Sequence, residues 1–211
     1  MLKHASALPL ACAFFALIGA SCGDSDRQCG YLPLMPLTVG DKWAYRDCTA
    51  APGGAEPECW GRDTLRIVGS RTFDGEEYIL TERWLAFRQT PQGLSFVSYG
   101  RDGLAAPDYF LRYPVEDGAA YQYTSSRVDQ PTILVTANNE RVTVPAGRYC
   151  AVTYRIYVGS GPPFVKLSFA PGVGLVRIQY SNGYLGLLES ADLVEQHRDG
   201  GQEPPPGICE P

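Results

Sequence analysis

Residues 144–194 read VPAGRYCAVTYRIYVGSGPPFVKLSFAPGVGLVRIQYSNGYLGLLESADLV, and this stretch decides the fold. Apolar side chains occupy every second position of three runs in it: Cys150, Val152, Tyr154, Ile156 and Val158; Val165, Leu167 and Phe169; and Val176, Ile178 and Tyr180. Such alternation is typical of antiparallel strands that bury one face in a core and turn the other to water. The stretch therefore predicts four antiparallel strands.

The last two of these strands flank the dipeptide Asn182-Gly183. Asn-Gly is favoured at the centre of a two-residue type I′ hairpin turn, because both central residues then need a positive φ. We expect a tight turn here, between strands at about residues 175–181 and 184–191. Ile178 then lies on the core face, whereas Arg177 points to a wet face, where its replacement is expected to cost little stability.

The composition of the whole chain predicts an all-β domain. Its 211 residues include 23 glycines, 17 prolines and 13 tyrosines, and only 19% of the residues are charged. This mix favours many short strands joined by tight turns over a helical bundle. We expect one domain built on a curved antiparallel sheet or half-barrel, with little helix apart from the signal peptide.

Segments upstream of residue 144 show the same alternation. Asp74-Gly75 predicts a hairpin with a strand on each side of it. The side chains expected to face inward are Trp43 and Tyr45 in the first strand, Leu65 and Ile67 before the hairpin, and Tyr78, Leu80 and Trp84 in one strand over residues 77–87 after it.

The N-terminal segment has the composition of a secretory signal. Lys3 gives a positive start, residues 5–20 are almost wholly apolar, and small residues precede Cys22. The run is too short and wrongly flanked for a stable transmembrane helix. It resembles a bacterial lipoprotein signal, in which the cysteine is acylated, with palmitate among the acyl groups, and becomes the new N-terminus. The alternative is ordinary secretion after cleavage near Ser21.

These features divide the chain into a signal peptide (residues 1–21), a lipidated tether (22–30), an antiparallel β domain (31–197) and a Pro/Gly-rich tail (198–211). The formal net charge is −5 and the pI is near 5.1. That balance argues against nucleic acid, whose binders need a basic face, and against electrostatic attraction to anionic lipid. We expect membrane attachment through the lipid alone.

Five cysteines remain once the signal is removed and Cys22 is acylated. Cys48 and Cys59 flank a Pro/Gly loop that a disulfide closes easily. Cys29 and Cys209 lie near the two ends of the domain, and a bond between them is expected because domain termini are often close together. Cys150 is in phase with the apolar face, so we expect it to be buried, reduced and inert.

Two motifs in the decisive stretch carry a resemblance. They are VPAG at residues 144–147, which an aromatic residue follows closely, and APGVGLV at residues 170–176. Together with GDKW at residues 40–43 and Tyr45, they resemble a pattern in bacterial envelope lipoproteins of unassigned function. The similarity to half-barrel lipoprotein carriers of the envelope is looser. These are strand bends and turns with no catalytic residue among them, so the resemblance implies a fold and a location but no chemistry.

The sequence offers little for catalysis. His197 is the one histidine left after signal removal, and a lone histidine at the edge of a tail is typical of a solvated side chain. The acidic pairs Glu76-Glu77 and Glu116-Asp117 each lie beside a turn, where solvated carboxylates are ordinary. No nucleotide-binding, serine-hydrolase or zinc motif is present. We therefore expect no catalytic residue, no metal site and no cofactor.

One strand face carries side chains that are common at interfaces. The candidate binding face consists of Tyr149, Arg155, Tyr157 and Lys166, and Thr153 alternates with them. Tyrosine and arginine are enriched at protein interfaces. The plainer interpretation is ordinary cross-strand pairing on a wet sheet, where tyrosine and threonine are good strand formers.

Together these patterns favour a non-enzymatic, lipid-anchored binding or assembly protein of the bacterial cell envelope, in the outer membrane because Gly23, not aspartate, follows Cys22. The expected partners are the membrane, through the anchor, and an envelope protein, peptidoglycan or a hydrophobic ligand. No nucleic acid is expected. The alternative function is an extracytoplasmic hydrolase with a loop-built carboxylate site, and the alternative location is secreted or periplasmic.

Overall fold

The computed structural model of the protein describes residues 32–49, 58–100, 103–104, 108–123, 133–158, 163, 165–182 and 187–199. Within that part of the chain, all regular structure is β, as the composition predicts. The strands are β1 (Lys42–Thr49), β2 (Glu58–Phe73), β3 (Glu76–Thr81), β4 (Leu85–Thr90), β5 (Gly93–Gly100), β6 (Gly103–Leu104), β7 (Tyr109–Arg112), β8 (Ala120–Tyr123), β9 (Ile133–Val144), β10 (Gly147–Val158), β11 (Val165–Ala170), β12 (Gly174–Asn182) and β13 (Leu187–His197). In the described ranges no helix is long and apolar enough to cross a membrane.

The strands form one open antiparallel sheet, which confirms the predicted fold class. Their order is β6-β5-β4-β3-β2-β1-β13-β12-β11-β10-β9-β8, with β7 paired to β5. Most neighbours in the sheet are also neighbours in the chain, as short turns favour. The exception that matters is β1 beside β13, which places Lys42 opposite His197 and Thr49 opposite Glu189. The first and last strands therefore meet in the middle of the sheet.

Trp43 and Tyr45 of β1 fix this junction from the core side. The indole Nε1 of Trp43 donates a hydrogen bond to the carbonyl of Val173 at 2.8 Å, and the Tyr45 hydroxyl donates to the carbonyl of Leu175 at 2.9 Å. Gly174 between these carbonyls has φ +107°, and a Cβ there would lie 3.1 Å from the Trp43 indole nitrogen. The two sequence motifs that contain these residues are therefore one packing unit.

Most of the predicted inward positions are confirmed. Trp43, Tyr45, Leu65, Ile67 and Tyr78 are all at most 8% exposed. Buried likewise are Val152, Tyr154, Ile156, Val165, Leu167, Phe169 and Val176 of the decisive stretch. Asp74 and Gly75 have φ +53° and +83°, so both central residues of the β2–β3 hairpin adopt the positive φ that a type I′ turn needs.

Three predictions at turns and strand ends are wrong. Residues 77–87 do not form one strand, because a turn at residues 82–84 separates β3 from β4, and Trp84 in that turn is 60% exposed. Asn182 is not a central residue of a two-residue turn, because it is still paired with Leu187 in the β12–β13 ladder; Gly183 lies outside the described residues. Tyr180, predicted to face inward, is 45% exposed, whereas Ile178 is partly buried and packs against the main core, as predicted.

The expectation for Arg177 is also wrong. Its guanidinium makes a bidentate ion pair with Asp192 on β13, with Nε–Oδ1 at 2.6 Å and Nη2–Oδ2 at 2.9 Å. Nη2 also donates to the carbonyl of Thr143, at the tip of the β9–β10 hairpin, at 2.9 Å. Nearby, the amide of Ala146 donates to the carbonyl of Leu193 at 3.0 Å. Arg177 thus clamps the hairpin tip onto β12 and β13.

The cysteines follow the sequence prediction only in part. Cys48 and Cys59 form a disulfide between directly paired residues of β1 and β2, as expected. Cys150 is disulfide-bonded and only half-buried, so its predicted reduced state is wrong. Its partner lies outside the described residues, because Cys48 and Cys59 bond each other. Cys22, Cys29 and Cys209 also lie outside the described residues.

We expect Arg177→Asp to lower the free energy of unfolding by about 2–3 kcal/mol, because it removes charge-assisted hydrogen bonds and sets two carboxylates side by side. Urea denaturation at neutral pH measures the loss. The matched control is Arg141→Asp, at an exposed position of β9, which is expected to change stability by less than about 0.5 kcal/mol. Equal losses in the two variants would contradict the clamp.

Cys150 should resist alkylation in the native protein and also after unfolding without reductant, and become labelled only after reduction. The physical reason is that a disulfide sulfur is no nucleophile, whereas a merely buried thiol reacts as soon as the chain unfolds. Peptide mapping by mass spectrometry, with and without reductant, distinguishes the two. Labelling of Cys150 in the unfolded, unreduced chain would show that it carries a free thiol.

Candidate functional site

The candidate binding face lies on the outer side of β10 and β11. Arg155 pairs directly with Lys166 across the two strands, and Tyr157 follows on the same face of β10. All three side chains are half-buried, which is ordinary for the solvated side of a sheet. The structure therefore brings together three of the four residues that the sequence analysis named.

Tyr149 does not join them. It is 9% exposed and belongs to the main core, and its hydroxyl donates to the carbonyl of Ala146 at 3.2 Å. Thr153 is buried as well and shares a hydrogen bond of 2.9 Å with Ser168. Because Val152 and Tyr154 are buried on the opposite face, β10 is covered on both sides here, and the solvated face begins only at Arg155.

The charges on this face are unbalanced. Arg155 forms an ion pair with Glu140 of β9, which holds its guanidinium over the sheet. Lys166, directly opposite Arg155, makes no ion pair within the described part of the chain. Like charges directly opposite one another destabilise a sheet. In the described part of the chain, the carboxylate of Glu140 thus neutralises Arg155, and the charge of Lys166 has no partner.

Trp84 is a surface feature that sequence reasoning missed. Its φ is +61°, a left-handed conformation that costs energy for a bulky side chain. The turn is nevertheless fixed, because the Trp84 carbonyl accepts the amide of Tyr99 at 2.8 Å and the Tyr99 hydroxyl donates to the carbonyl of Thr81 at 2.8 Å. The segment 81–84 contains no Gly, Pro or Asn, so it carries no ordinary turn signal.

His197 and the acidic pairs lie at separate positions on the surface. The exposed His197 lines a shallow depression on β1 and β13 with Lys42, Ala44 and Glu195. Glu76 forms an ion pair with Arg88 at 2.7 Å, and Asp117 accepts the amide of Asn139 at 2.6 Å. The described ranges contain no group of three or more His, Cys, Asp or Glu side chains placed to hold a metal.

Three tyrosine hydroxyls on β8 and β10 form hydrogen bonds to β7, near the opposite end of the sheet, and we call them the tyrosine clasp: Tyr121, Tyr123 and Tyr154. No strand ladder links β7 to β8 in the described part of the chain. Instead Tyr121 accepts the amide of Arg112 at 2.9 Å and donates to the carbonyl of Phe110 at 3.0 Å. Tyr123 accepts the amide of Phe110 at 3.0 Å, and Tyr154 donates to the carbonyl of Arg112 at 2.7 Å.

The clasp satisfies backbone groups that an edge strand otherwise exposes. It also shows that the sheet is curved, because its two edges approach within the reach of a tyrosine side chain. Burial raises the pKa of Tyr121 to about 12 and raises the pKa values of Tyr123 and Tyr154 as well. The raised values are those expected of phenols that are buried and hydrogen-bonded to the backbone.

Comparison with known proteins gives only distant likenesses. No family model and no curated protein matches the chain. It is similar to the solved structure of a presumed exported protein with a YmcC-like fold from Bacteroides fragilis, with 12% identity, a TM-score of 0.38, and coverage of 79% of this chain and 100% of that chain. A presumed lipoprotein from Parabacteroides distasonis has 13% identity, a TM-score of 0.38, and coverage of 79% and 99%. Likenesses of this degree carry no argument about function.

Tyr121→Phe should lower the free energy of unfolding by about 1–3 kcal/mol, because it leaves two backbone groups of the clasp without their partner. Since the pKa of Tyr121 is raised from 10.0 to about 12, its contribution to stability is complete below pH 10 and declines as the pH rises toward 12. Urea unfolding at neutral and alkaline pH measures both effects. Tyr157→Phe, on the outer face, is the control and should leave the stability at neutral pH nearly unchanged.

Proposed function

We propose that the protein is a lipid-anchored, non-enzymatic binding protein of the bacterial envelope, attached to the outer membrane through Cys22. The signal sequence supports the anchor, and Gly23 after the cysteine favours the outer membrane. The bonded states of Cys48, Cys59 and Cys150 support an oxidising compartment, because disulfides persist outside the cytosol and are rare within it.

The binding role rests on one observation, that Lys166 lies directly opposite Arg155 and, among the described residues, only Arg155 has a carboxylate partner, Glu140. A partner that brings a carboxylate to Lys166 would relieve the repulsion and gain charge-assisted hydrogen bonds. Tyr157 beside them supplies a ring of the kind that contributes strongly at interfaces. The ligand chemistry is therefore anionic, from an acidic protein surface or from the peptide carboxylates of peptidoglycan.

The inner side of the sheet argues for binding on this outer face rather than for carriage of a hydrophobic ligand inside. Trp43, Tyr154 and Phe169 are fully or almost fully buried there, and they belong to one continuous core cluster. Close-packed side chains must move apart before an apolar ligand enters such a core. The outer face needs no such rearrangement, because its charges are already ordered.

A photo-crosslinking residue at Tyr157 tests the proposal in the lipidated full chain, within intact cells. We expect an adduct with an envelope protein or with a peptidoglycan fragment, and mass spectrometry identifies which. Lys166→Glu should reduce the adduct about tenfold, the effect of losing one charge-assisted contact. Arg141→Glu, a charge reversal at an exposed position of neighbouring β9, is the matched control and should not change it.

Two results would contradict the proposed function. The binding face is wrong if no adduct forms, or if Lys166→Glu and Arg141→Glu behave alike. The anchor is wrong if mass spectrometry finds an N-terminal peptide without acyl groups on Cys22.

A further inference from the structure

Three exposed apolar residues lie on neighbouring backbone segments near the point where the chain enters β1, and we call them the entry patch: Val39, Val68 and Trp84. Their exposed fractions are 54%, 49% and 60%. Trp60 and Tyr180 are the other large apolar side chains exposed to this degree in the described part of the chain. Contiguous exposed apolar groups mark contact surfaces more often than single ones do.

Backbone hydrogen bonds place the backbone segments that carry the three residues around one short part of β2. On one side, the amide of Gly40, next to Val39, donates to the carbonyl of Ile67 at 3.0 Å. On the other side, the amide of Glu82, in the turn that carries Trp84, donates to the carbonyl of Arg66 at 3.1 Å. Val68 follows directly in β2. Since neighbouring strands lie about 4.8 Å apart, the backbone positions span on the order of 10 Å.

Trp84 has a left-handed backbone conformation that a bulky residue rarely adopts. A residue with φ +61° is most often Gly or Asn, and here it is an exposed tryptophan. Its ring centroid lies 5.7 Å from that of Tyr99, whose hydrogen bonds hold the turn. Residues that break a local rule without gaining burial are candidates for function. The turn presents the indole to the outside in one orientation.

Cations border the patch. Lys42 and Arg66 are exposed and directly paired across β1 and β2, although like charges in that position destabilise a sheet. Glu82 and Glu195 are exposed nearby, and Arg83 pairs with Asp63, so the surroundings are of mixed sign. Exposed tryptophan with long basic side chains beside it is the combination found at membrane–water interfaces, where the ring enters the headgroup layer and the cations reach lipid phosphates.

The chain itself supplies the reason for choosing a bilayer as the occupant. Cys22, the proposed site of acylation, is ten residues before Leu32, where the described structure begins. Ten extended residues span at most about 35 Å. The acyl chains therefore hold the domain next to the membrane, and Val39 of the patch lies only seven residues beyond Leu32.

We propose that the entry patch rests on the bilayer that holds the Cys22 acyl chains, with the indole of Trp84 in the headgroup layer. The inference rests on the anchor in the proposed function. It adds a second contact to the lipid, which fixes the orientation of the domain. Attachment to a membrane through a single weak contact is reversible, and a second contact with the membrane makes the attachment stable.

Tryptophan fluorescence in the full-length lipidated protein tests the contact. The protein is reconstituted in vesicles of phosphatidylethanolamine and phosphatidylglycerol whose acyl chains are brominated or plain. The Trp60→Phe variant keeps two indoles, that of Trp43, which is buried, and that of Trp84, which is exposed. If Trp84 lies at the lipid surface and Trp43 does not, brominated chains should quench roughly half of the emission.

Matched variants separate this contact from general proximity to the membrane. Trp84→Phe retains the exposed Trp60, which lies about seven residues, or roughly 20 Å, along β2 from Ile67. Its emission should be quenched little. In the Trp60→Phe background, Trp84→Gly should remove the quenching without unfolding the domain, because glycine accepts the positive φ. The melting temperature of each variant confirms that it is folded.

The outcomes separate the two proposals. Acylated Cys22 with no quenching of Trp84 would overturn the entry-patch contact and leave the anchor standing. An unacylated Cys22 would overturn the anchor itself. If Trp84 is shielded from aqueous quenchers in the intact envelope but not in the vesicles, a protein covers the patch and the bilayer assignment is wrong. Equal quenching in Trp60→Phe and Trp84→Phe would also overturn it.

Discussion

The pairing of β1 with β13 is the constraint on which the rest of the structure depends. It is the single ladder that joins the β2–β7 part of the described sheet to the β8–β12 part. Trp43 and Tyr45 reinforce it, because each buries a large ring and gives its polar hydrogen to a carbonyl near Gly174. Without this junction, each part would expose an apolar face.

The residues before and after the junction are tied by one buried carboxylate. Asp41 is 1% exposed, and its oxygens accept the amides of Thr38 at 3.3 Å and Asp199 at 3.2 Å. Gly40 has φ +98°, and a Cβ there would collide with the side chain of Asp199. The motif at residues 40–43 is therefore explained by packing at the two ends of the domain.

Because the core fills the inner face, the surfaces that we propose to be functional both lie outside it. Arg155 and Lys166 form a polar surface with excess positive charge, whereas Trp84 forms an apolar one at the entry end. Neither arrangement is the one that stability alone favours. Arg155 and Lys166 place like charges side by side, and Trp84 is a bulky residue with a left-handed backbone conformation. Such departures carry more functional information here than any motif in the sequence.

The sequence by itself determined the fold class, the β2–β3 turn at Asp74-Gly75 and most of the inward face, because alternation and turn preference are properties of a few neighbouring residues. Only the tertiary structure decided the surroundings of Arg177, Tyr149 and Trp84. Arg177 is clamped to strands distant in sequence, Tyr149 is buried in the main core, and Trp84 lies in a turn held by Tyr99. The physical reason is that alternation assigns a side chain to one of two faces, whereas the curvature of the whole sheet decides whether that face meets water or another strand.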